Sequence, residues 1–96
     1  MKKRPFEKYK ERIKTILKKN GVRKAAVFGS FATGTATKKS DIDLLIEFRG
    51  KKSLFDLVGL KIELEESLDR NVDLLTYNSI HPLLKDKILT EQIIIL

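Results

Sequence analysis

Three aspartates have the residue type and the spacing of a site for divalent cations. Asp41 and Asp43 are separated by one residue, and in a β-strand such positions project from the same face. Two carboxylates held side by side repel each other, and a divalent cation removes that cost. Asp73 begins another strand-like run and becomes a third ligand if the two strands are neighbours. Oxygen ligands in a chain with no Cys and one His favour Mg²⁺ or Mn²⁺ over zinc.

Gly29 and Ser30 form a candidate site for a phosphate group. They follow the run from Lys24 to Phe28, which predicts a buried strand that ends in a turn. Backbone N–H groups at such a turn can face an anion, glycine allows a phosphate to approach closely, and the Ser30 hydroxyl is one more donor. Phosphate and cation sites within residues 29–43 indicate a metal-bound nucleoside triphosphate, the substrate of an in-line displacement.

Each of these motifs has a simpler interpretation when it is taken alone. A Gly-Ser pair after a strand is commonly a turn, and an Asp-Ile-Asp sequence can be a cap followed by a solvated carboxylate. The single histidine, His81, lies before Pro82 and is predicted to mark the entry to a helix. The combination of motifs at this spacing is what predicts a nucleotide site.

The remaining pattern predicts a small α/β (α+β) domain that positions these residues. Apolar residues at three- and four-residue steps predict a helix over residues 5–19. Further helices are predicted after a capping box of Ser53 and Asp56 and from Pro82 onward. The apolar side of the first is predicted to hold Leu54, Leu57, Val58, Leu64 and Leu68, and the second carries Leu83, Leu84 and Ile88. The predicted strands cover residues 24–28, 41–48, 71–77 and 93–96. We therefore expect one domain over residues 1–96, with a mixed sheet of about four strands and helices packed against it.

The composition excludes several classes of protein. The absence of Cys excludes a disulfide framework. The longest aliphatic run, Ile93 to Leu96, is too short for a membrane span, and the charged start lacks the apolar stretch of a signal peptide, so we expect a cytoplasmic protein with no membrane partner. The first 20 residues hold nine of the 20 Lys and Arg and only two Glu, within a net charge of +7. Such a segment could attract nucleic acid or an acidic protein, or be a solvated helix face.

The segment FGSFATGTATKKSDIDLLIEF resembles the signature of the DNA polymerase β-like nucleotidyltransferases. That signature is a hydrophobic residue, Gly-Ser, a spacer and then Asp-hydrophobic-Asp. The segment resembles in particular the minimal nucleotidyltransferases, small prokaryotic proteins found as the antitoxin half of toxin–antitoxin pairs with HEPN-domain ribonucleases. The resemblance is dense over residues 27–48 and includes Asp73. It implies the nucleotidyltransferase fold.

The resemblance also implies a role for each residue of the motif. Gly29 and Ser30 are expected to hold the triphosphate of ATP, and Asp41 and Asp43 to bind two Mg²⁺ ions. Asp73 is expected to complete the metal site and to help deprotonate the acceptor hydroxyl. Members of the antitoxin group transfer AMP to a tyrosine of the partner toxin, so the resemblance implies a HEPN-domain toxin as the partner.

The sequence departs from the family pattern at Thr33, where many relatives carry an arginine. Lys38 and Lys39 are predicted to compensate for the missing charge, and together with Thr33 they complete the predicted phosphate-binding set. The departure leaves open a binding module that neutralises its partner by complex formation, with a weak or inactive nucleotide site. Binding of nucleic acid through the basic amino-terminal helix is a third hypothesis. The sequence leaves the nucleotide base, the acceptor residue and homodimerisation open.

Overall fold

Helices and strands alternate along the computed structural model, which describes residues 6–37 and 39–96. The helices of this part of the chain are α1 (Glu7–Lys19), α2 (Ser30–Thr33), α3 (Leu54–Leu68) and α4 (Pro82–Glu91), with a 3₁₀ helix at Tyr77–Ser79. The strands are β1 (Val22–Phe28), β2 (Ile42–Phe48), β3 (Val72–Thr76) and β4 (Ile93–Ile94). The predicted strands are present, with β1 beginning two residues earlier than predicted.

The strands form one mixed sheet in the order β3-β2-β1-β4. β1 is antiparallel to both β2 and β4, whereas β2 and β3 are parallel. The parallel connection requires a crossover, and α3 provides it. The prediction of a small mixed sheet with helices is confirmed.

The hydrophobic core lies between one face of the sheet and the helices α1 and α3. Alternate residues of β2 point into it, since Ile42, Leu44 and Ile46 are all fully buried. The residues that the two helices bury there are Ile13, Ile16 and Leu17 of α1 and Leu60, Leu64 and Leu68 of α3. The core therefore fixes the rotation of β2 and the face to which its remaining side chains point.

The opposite face of the sheet, which we call the aspartate face, is defined by Asp43 and Leu45 of β2 and by Asp73 and Leu75 of β3. These residues are register partners across the parallel pair, Asp43 with Asp73 and Leu45 with Leu75. Leu45 is fully buried although it points away from the core cluster. The aspartate face is thus acidic at the end that holds Asp43 and Asp73 and apolar next to that end.

Two helices differ from the prediction in the side chains that they bury. The sequence predicts an apolar side of α3 that includes Leu54 and Val58, but both are exposed, together with Phe55 and Ile62. The physical reason is that a helix packs only one stripe against a sheet, and in α3 that stripe is formed by the residues four apart from Leu60 onward. The helix α4 buries none of its residues.

Among the described strands, β3 lies at an edge of the sheet and pairs with β2 alone. The N–H of its first residue, Val72, donates to Glu65 Oε2 of α3 at 3.0 Å. The carboxylate therefore attaches the start of this edge strand to the crossover helix.

Among the described residues, no helix combines the length and the apolar character that a bilayer crossing requires.

Candidate active site

The register of the two parallel strands places two of the predicted aspartates side by side. Asp43, the second residue of β2, pairs with Asp73, the second residue of β3. Register partners on adjacent strands point to the same face, so both carboxylates lie on the aspartate face. Asp41 immediately precedes β2 and is exposed, whereas Asp43 is half-buried. The condition set by the sequence, that the strands of Asp43 and Asp73 be neighbours, is met.

Gly29 lies directly against the acidic pair. Phe28, the last residue of β1, pairs with Asp43, and Gly29 follows it in a left-handed conformation with φ +67°. A Cβ atom at this position would overlap the Asp43 carboxylate. Two independent requirements, the backbone conformation and the close approach of Asp43, therefore demand glycine here. Ser30 then begins α2, whose first N–H groups have no partner within the helix.

The environment of Asp43 opposes its ionisation. Partial burial, the neighbouring Asp73 charge, a hydrogen bond to Asp73 and the charge of Asp41 together raise the pKa of Asp43 from 3.8 to about 6. Burial is the largest of these causes, because it removes water from a charged group. Above pH 6 the site therefore holds an ionised carboxylate, and in the part of the chain that the structure describes Asp43 forms no ion pair with a basic side chain.

A hard cation would fit the chemistry of this pair, although the ligands are not arranged as a finished site. In residues 6–37 and 39–96 no three His, Cys, Asp or Glu side chains are grouped to hold a metal ion. Asp43 and Asp73 are within hydrogen-bonding reach of each other, whereas Asp41 acts on Asp43 through its charge alone. The pair offers only oxygen ligands, and a divalent cation would remove its repulsion. The structure thus brings two of the three predicted ligands together.

The observed contacts of Thr33 and Lys39, two other predicted phosphate-binding residues, are with their own turns and not with the acidic pair. The Thr33 hydroxyl donates to Gly29 O at 3.3 Å and lies 3.0 Å from Thr35 Oγ1, so it is engaged within its own turn. Lys39 is exposed, and its N–H donates to Thr37 Oγ1 at 3.3 Å. Lys38 lies outside the described residues. The roles of Thr33, Lys38 and Lys39 stay predictions.

Comparison with known proteins decides the family. Residues 11–96 match the family described as "Polymerase beta, Nucleotidyltransferase". The chain belongs to this family. The matched range contains Gly29, Ser30 and the three aspartates, and the resemblance that the sequence motif indicated is confirmed.

Relatives of this nucleotidyltransferase carry names that give their activity. A Methanocaldococcus jannaschii protein, named as a candidate protein adenylyltransferase, is 58% identical over 87 residues, which are 91% of this chain and 94% of the relative. The protein adenylyltransferase MntA of Thermococcus cleftensis is 37% identical over 67 residues, 70% of this chain and 68% of the relative. The prediction that the chain is a nucleotidyltransferase enzyme is confirmed.

Solved structures share the fold. A candidate minimal nucleotidyltransferase is 33% identical with a TM-score of 0.79, and the match covers 92% of this chain and 90% of the chain in that structure. A toxin–antitoxin crystal structure with AMP-PNP is 25% identical with a TM-score of 0.80, covering 91% of this chain and 72% of its own. The predicted nucleotidyltransferase fold is confirmed.

A cavity of about 400 Å³ lies at the opposite end of the two parallel strands. The residues that line it come from the carboxyl ends of β2 and β3 and from the turns that follow, and they include Glu47, Phe48, Thr76 and Tyr77. Asp43 and Asp73 stand near the amino ends of the same strands. The cavity is therefore separate from the acidic pair of the nucleotidyltransferase.

Arg70 lies beside the nucleotidyltransferase site, and the sequence patterns did not single it out. Its guanidinium donates to Ser40 O at 2.6 Å and, at 3.4 Å, to Thr37 O. Its Cζ lies 5.4 Å from the centroid of the Phe31 ring and 5.6 Å from that of Tyr9. These partners are at least 30 residues away along the chain, so no local pattern could have revealed them. The only signal was the position of Arg70 three residues before Asp73.

Proposed function

We propose that this nucleotidyltransferase transfers AMP from ATP, with Mg²⁺, to a hydroxyl of a HEPN-type toxin, and that it thereby acts as the antitoxin of a toxin–antitoxin pair. The acceptor that we propose is a tyrosine. The observation that carries the proposal is the contact of Gly29 with Asp43, which is itself paired with Asp73. A phosphate-binding turn and an acidic pair thus share one location.

The names of related proteins support the choice of substrate and partner. One relative is the protein adenylyltransferase MntA, and one structure of the same fold is a toxin–antitoxin complex with AMP-PNP. Another, at 21% identity, is an AMPylated HEPN toxin of Shewanella oneidensis in complex with an MNT antitoxin and is similar in fold alone. We extend the adenylyl donor and the toxin partner to this chain on that basis.

In the proposed reaction each residue of the site has one task. Backbone N–H groups at Gly29 and Ser30, with the Ser30 hydroxyl, orient the triphosphate. Asp41, Asp43 and Asp73 would hold Mg²⁺, which when bound supplies positive charge for the phosphate oxygens. Asp73 also accepts the proton of the acceptor hydroxyl. The acceptor oxygen forms a bond to the α-phosphorus as the bond to the β-phosphate oxygen breaks, and pyrophosphate leaves.

The test is a transfer assay read by mass spectrometry of both chains. The purified protein is incubated with its HEPN-type partner, ATP and Mg²⁺, and peptide mapping then locates the modified residue. We expect the partner to gain AMP with the wild type and not with Asp43→Asn. Asp86→Asn is the matched control, because Asp86 is exposed on α4. Equal transfer by wild type and Asp43→Asn would reject the proposal.

A second candidate function is neutralisation by complex formation alone. Two observations favour it: Asp43 and Asp73 are not joined by a third ligand in the described residues, and the Thr33 hydroxyl is occupied within its own turn. The exposed apolar residues of α3 offer surface for such a complex. This function predicts a complex that forms equally well without ATP and Mg²⁺, and neutralisation that persists in Asp43→Asn.

A further inference from the structure

The segment that carries Asp41 is attached, on both sides of the aspartate, to the two residues that precede β3. Ser40, the residue before Asp41, has its carbonyl oxygen 2.6 Å from an Arg70 guanidinium nitrogen. Ile42, the residue after it, donates its N–H to Asn71 O at 3.0 Å. Two consecutive residues of one segment therefore bind the residues on either side of Asp41. The backbone is therefore held at the residue before Asp41 and at the residue after it.

We propose that Arg70 is a positioning residue that holds the backbone at Thr37 and Ser40 and so directs the Asp41 carboxylate towards the Asp43–Asp73 pair. This inference rests on the proposed function, in which Asp41 is a metal ligand. Asp41 lies before the first residue of β2 and so receives no strand pairing of its own in the register of β2 with β1 or β3. The guanidinium supplies part of the restraint that strand pairing gives to Asp43.

The surroundings of the guanidinium explain why the residue is arginine. Its guanidinium donates to two carbonyl oxygens and lies over the Phe31 and Tyr9 rings, and a planar, delocalised cation suits this combination better than the compact ammonium of lysine does. The ring beneath it, Phe31, is 1% exposed and belongs to the core. Phe31 contacts Phe6 and Tyr9 edge to face at 6.5 and 6.3 Å. The arginine therefore packs against an aromatic cluster that reaches from the start of α1 to α2.

The same contacts connect the two halves of the site. Phe31 follows Ser30 in α2, the short helix after Gly29, whereas Ser40 leads into β2. A single side chain from the turn before β3 thus contacts Phe31, beside the proposed phosphate-binding turn, and Ser40, in the proposed metal-binding segment. Loss of the guanidinium should loosen the second of these contacts more than the first, because Phe31 keeps its place in the core.

The experiment compares Arg70→Met and Arg70→Lys with a matched control. Arg12 also donates from its guanidinium to a backbone carbonyl, Ser67 O at 3.0 Å in the last turn of α3, so Arg12→Met makes the same chemical change without removing a bond to Thr37 or Ser40. Hydrogen exchange is followed on peptides covering residues 35–41. Binding of Mn²⁺, the probe ion, is measured by electron paramagnetic resonance, and thermal unfolding reports the folded fraction.

We expect Arg70→Met to exchange about tenfold faster over residues 35–41 and to bind Mn²⁺ about tenfold more weakly, the effect of losing one hydrogen bond from a charged donor. Arg70→Lys should lie between Arg70→Met and the wild type, and Arg12→Met should match the wild type in both measurements. In the transfer assay, kcat should fall while the KM for the partner is unchanged. A purely structural role would lower the folded fraction without changing the Mn²⁺ affinity of the folded protein.

The outcomes separate this inference from the proposed function. Wild-type rates of exchange over residues 35–41, or wild-type Mn²⁺ affinity, in Arg70→Met would overturn the positioning role while transfer by the wild type stood. A wild type that neither binds Mn²⁺ nor transfers AMP would reject both. Faster exchange together with weaker Mn²⁺ binding in Arg70→Met, and not in Arg12→Met, would support both.

Discussion

Replacing Asp43 with asparagine should stabilise the metal-free protein at neutral pH. The ionised Asp43 carboxylate is half-buried and stands beside Asp73, with Asp41 close enough to add its charge. Asparagine has nearly the same shape, carries no charge, and can donate a hydrogen bond to Asp73. The substitution that is expected to remove activity is therefore expected to strengthen the fold.

The magnitude follows from the pKa of Asp43. Its rise from 3.8 to about 6 sets an upper limit of about 3 kcal/mol, at about 1.4 kcal/mol per pKa unit. Because Asp43 is only half-buried, solvent screens the interaction, and we expect about 1 to 2 kcal/mol. For a domain of 96 residues, this is a rise in Tm of roughly 5 to 15 °C.

The sign of the pH dependence is fixed by the direction of the shift. Because the pKa is raised on folding, the folded state binds this proton more tightly than the unfolded state does. Ionisation of Asp43 therefore lowers the free energy of unfolding. This loss is absent well below pH 3.8, grows between pH 3.8 and 6, and is complete above pH 6. The advantage of Asp43→Asn should therefore be full at pH 7.5 and mostly lost at pH 4.

The assay is urea denaturation with EDTA at both pH values, followed by circular dichroism, with Asp86→Asn as the control for a charge removed elsewhere. When Mg²⁺ replaces EDTA, it should stabilise the wild type and not Asp43→Asn, so that the difference in the free energy of unfolding between the two proteins becomes smaller. An Asp43→Asn protein that is less stable than the wild type at pH 7.5 would refute the reasoning. So would a difference that stays the same from pH 7.5 to pH 4.

Three further substitutions test other parts of the structure. Gly29→Ala should lower the free energy of unfolding by about 1 to 3 kcal/mol and abolish transfer, because its Cβ would overlap Asp43 at a positive φ; wild-type stability in urea would contradict this. Ser53→Ala should cost about 1 kcal/mol and leave transfer unchanged, since Ser53 and Asp56 form only the cap of α3; a loss of transfer at equal folded fraction would count against it. Phe31→Ala should lower the free energy of unfolding by about 3 to 5 kcal/mol, because the ring is 1% exposed. A thermal unfolding curve close to that of the wild type would contradict this expectation.

The parts of the fold that the sequence predicts are those specified by neighbouring residues. The run Asp41 to Phe48 contains its own strand pattern, and Ser53 with Asp56 contains its own cap, which the structure shows as a reciprocal capping box. The spacing of Asp41 and Asp43 predicts a shared face but not the arrangement of their side chains. The partnership of Asp43 with Asp73 could be stated only as a condition, because it depends on the order of strands in the sheet.

The parts that the sequence does not predict depend on distant partners. α3 carries apolar residues around most of its circumference, so periodicity could not decide that Leu60 would be buried and Phe55 would be 88% exposed. That choice depends on how the crossover helix lies on the sheet. Arg70 is a similar case, since a single basic residue before a strand has no pattern of its own. Its role becomes visible only when Phe31 and Ser40 are brought to it.

Because Asp73 lies on an edge strand, the position of its carboxylate is held less firmly than that of Asp43. Asp43 stands on a strand with neighbours on both sides, whereas β3 has one neighbour and, at Val72, the attachment to Glu65. Edge segments open by local fluctuations that need far less free energy than global unfolding. On warming, the acidic pair should therefore separate while most of the molecule is still native, and transfer activity should be lost at a lower temperature than the global fold.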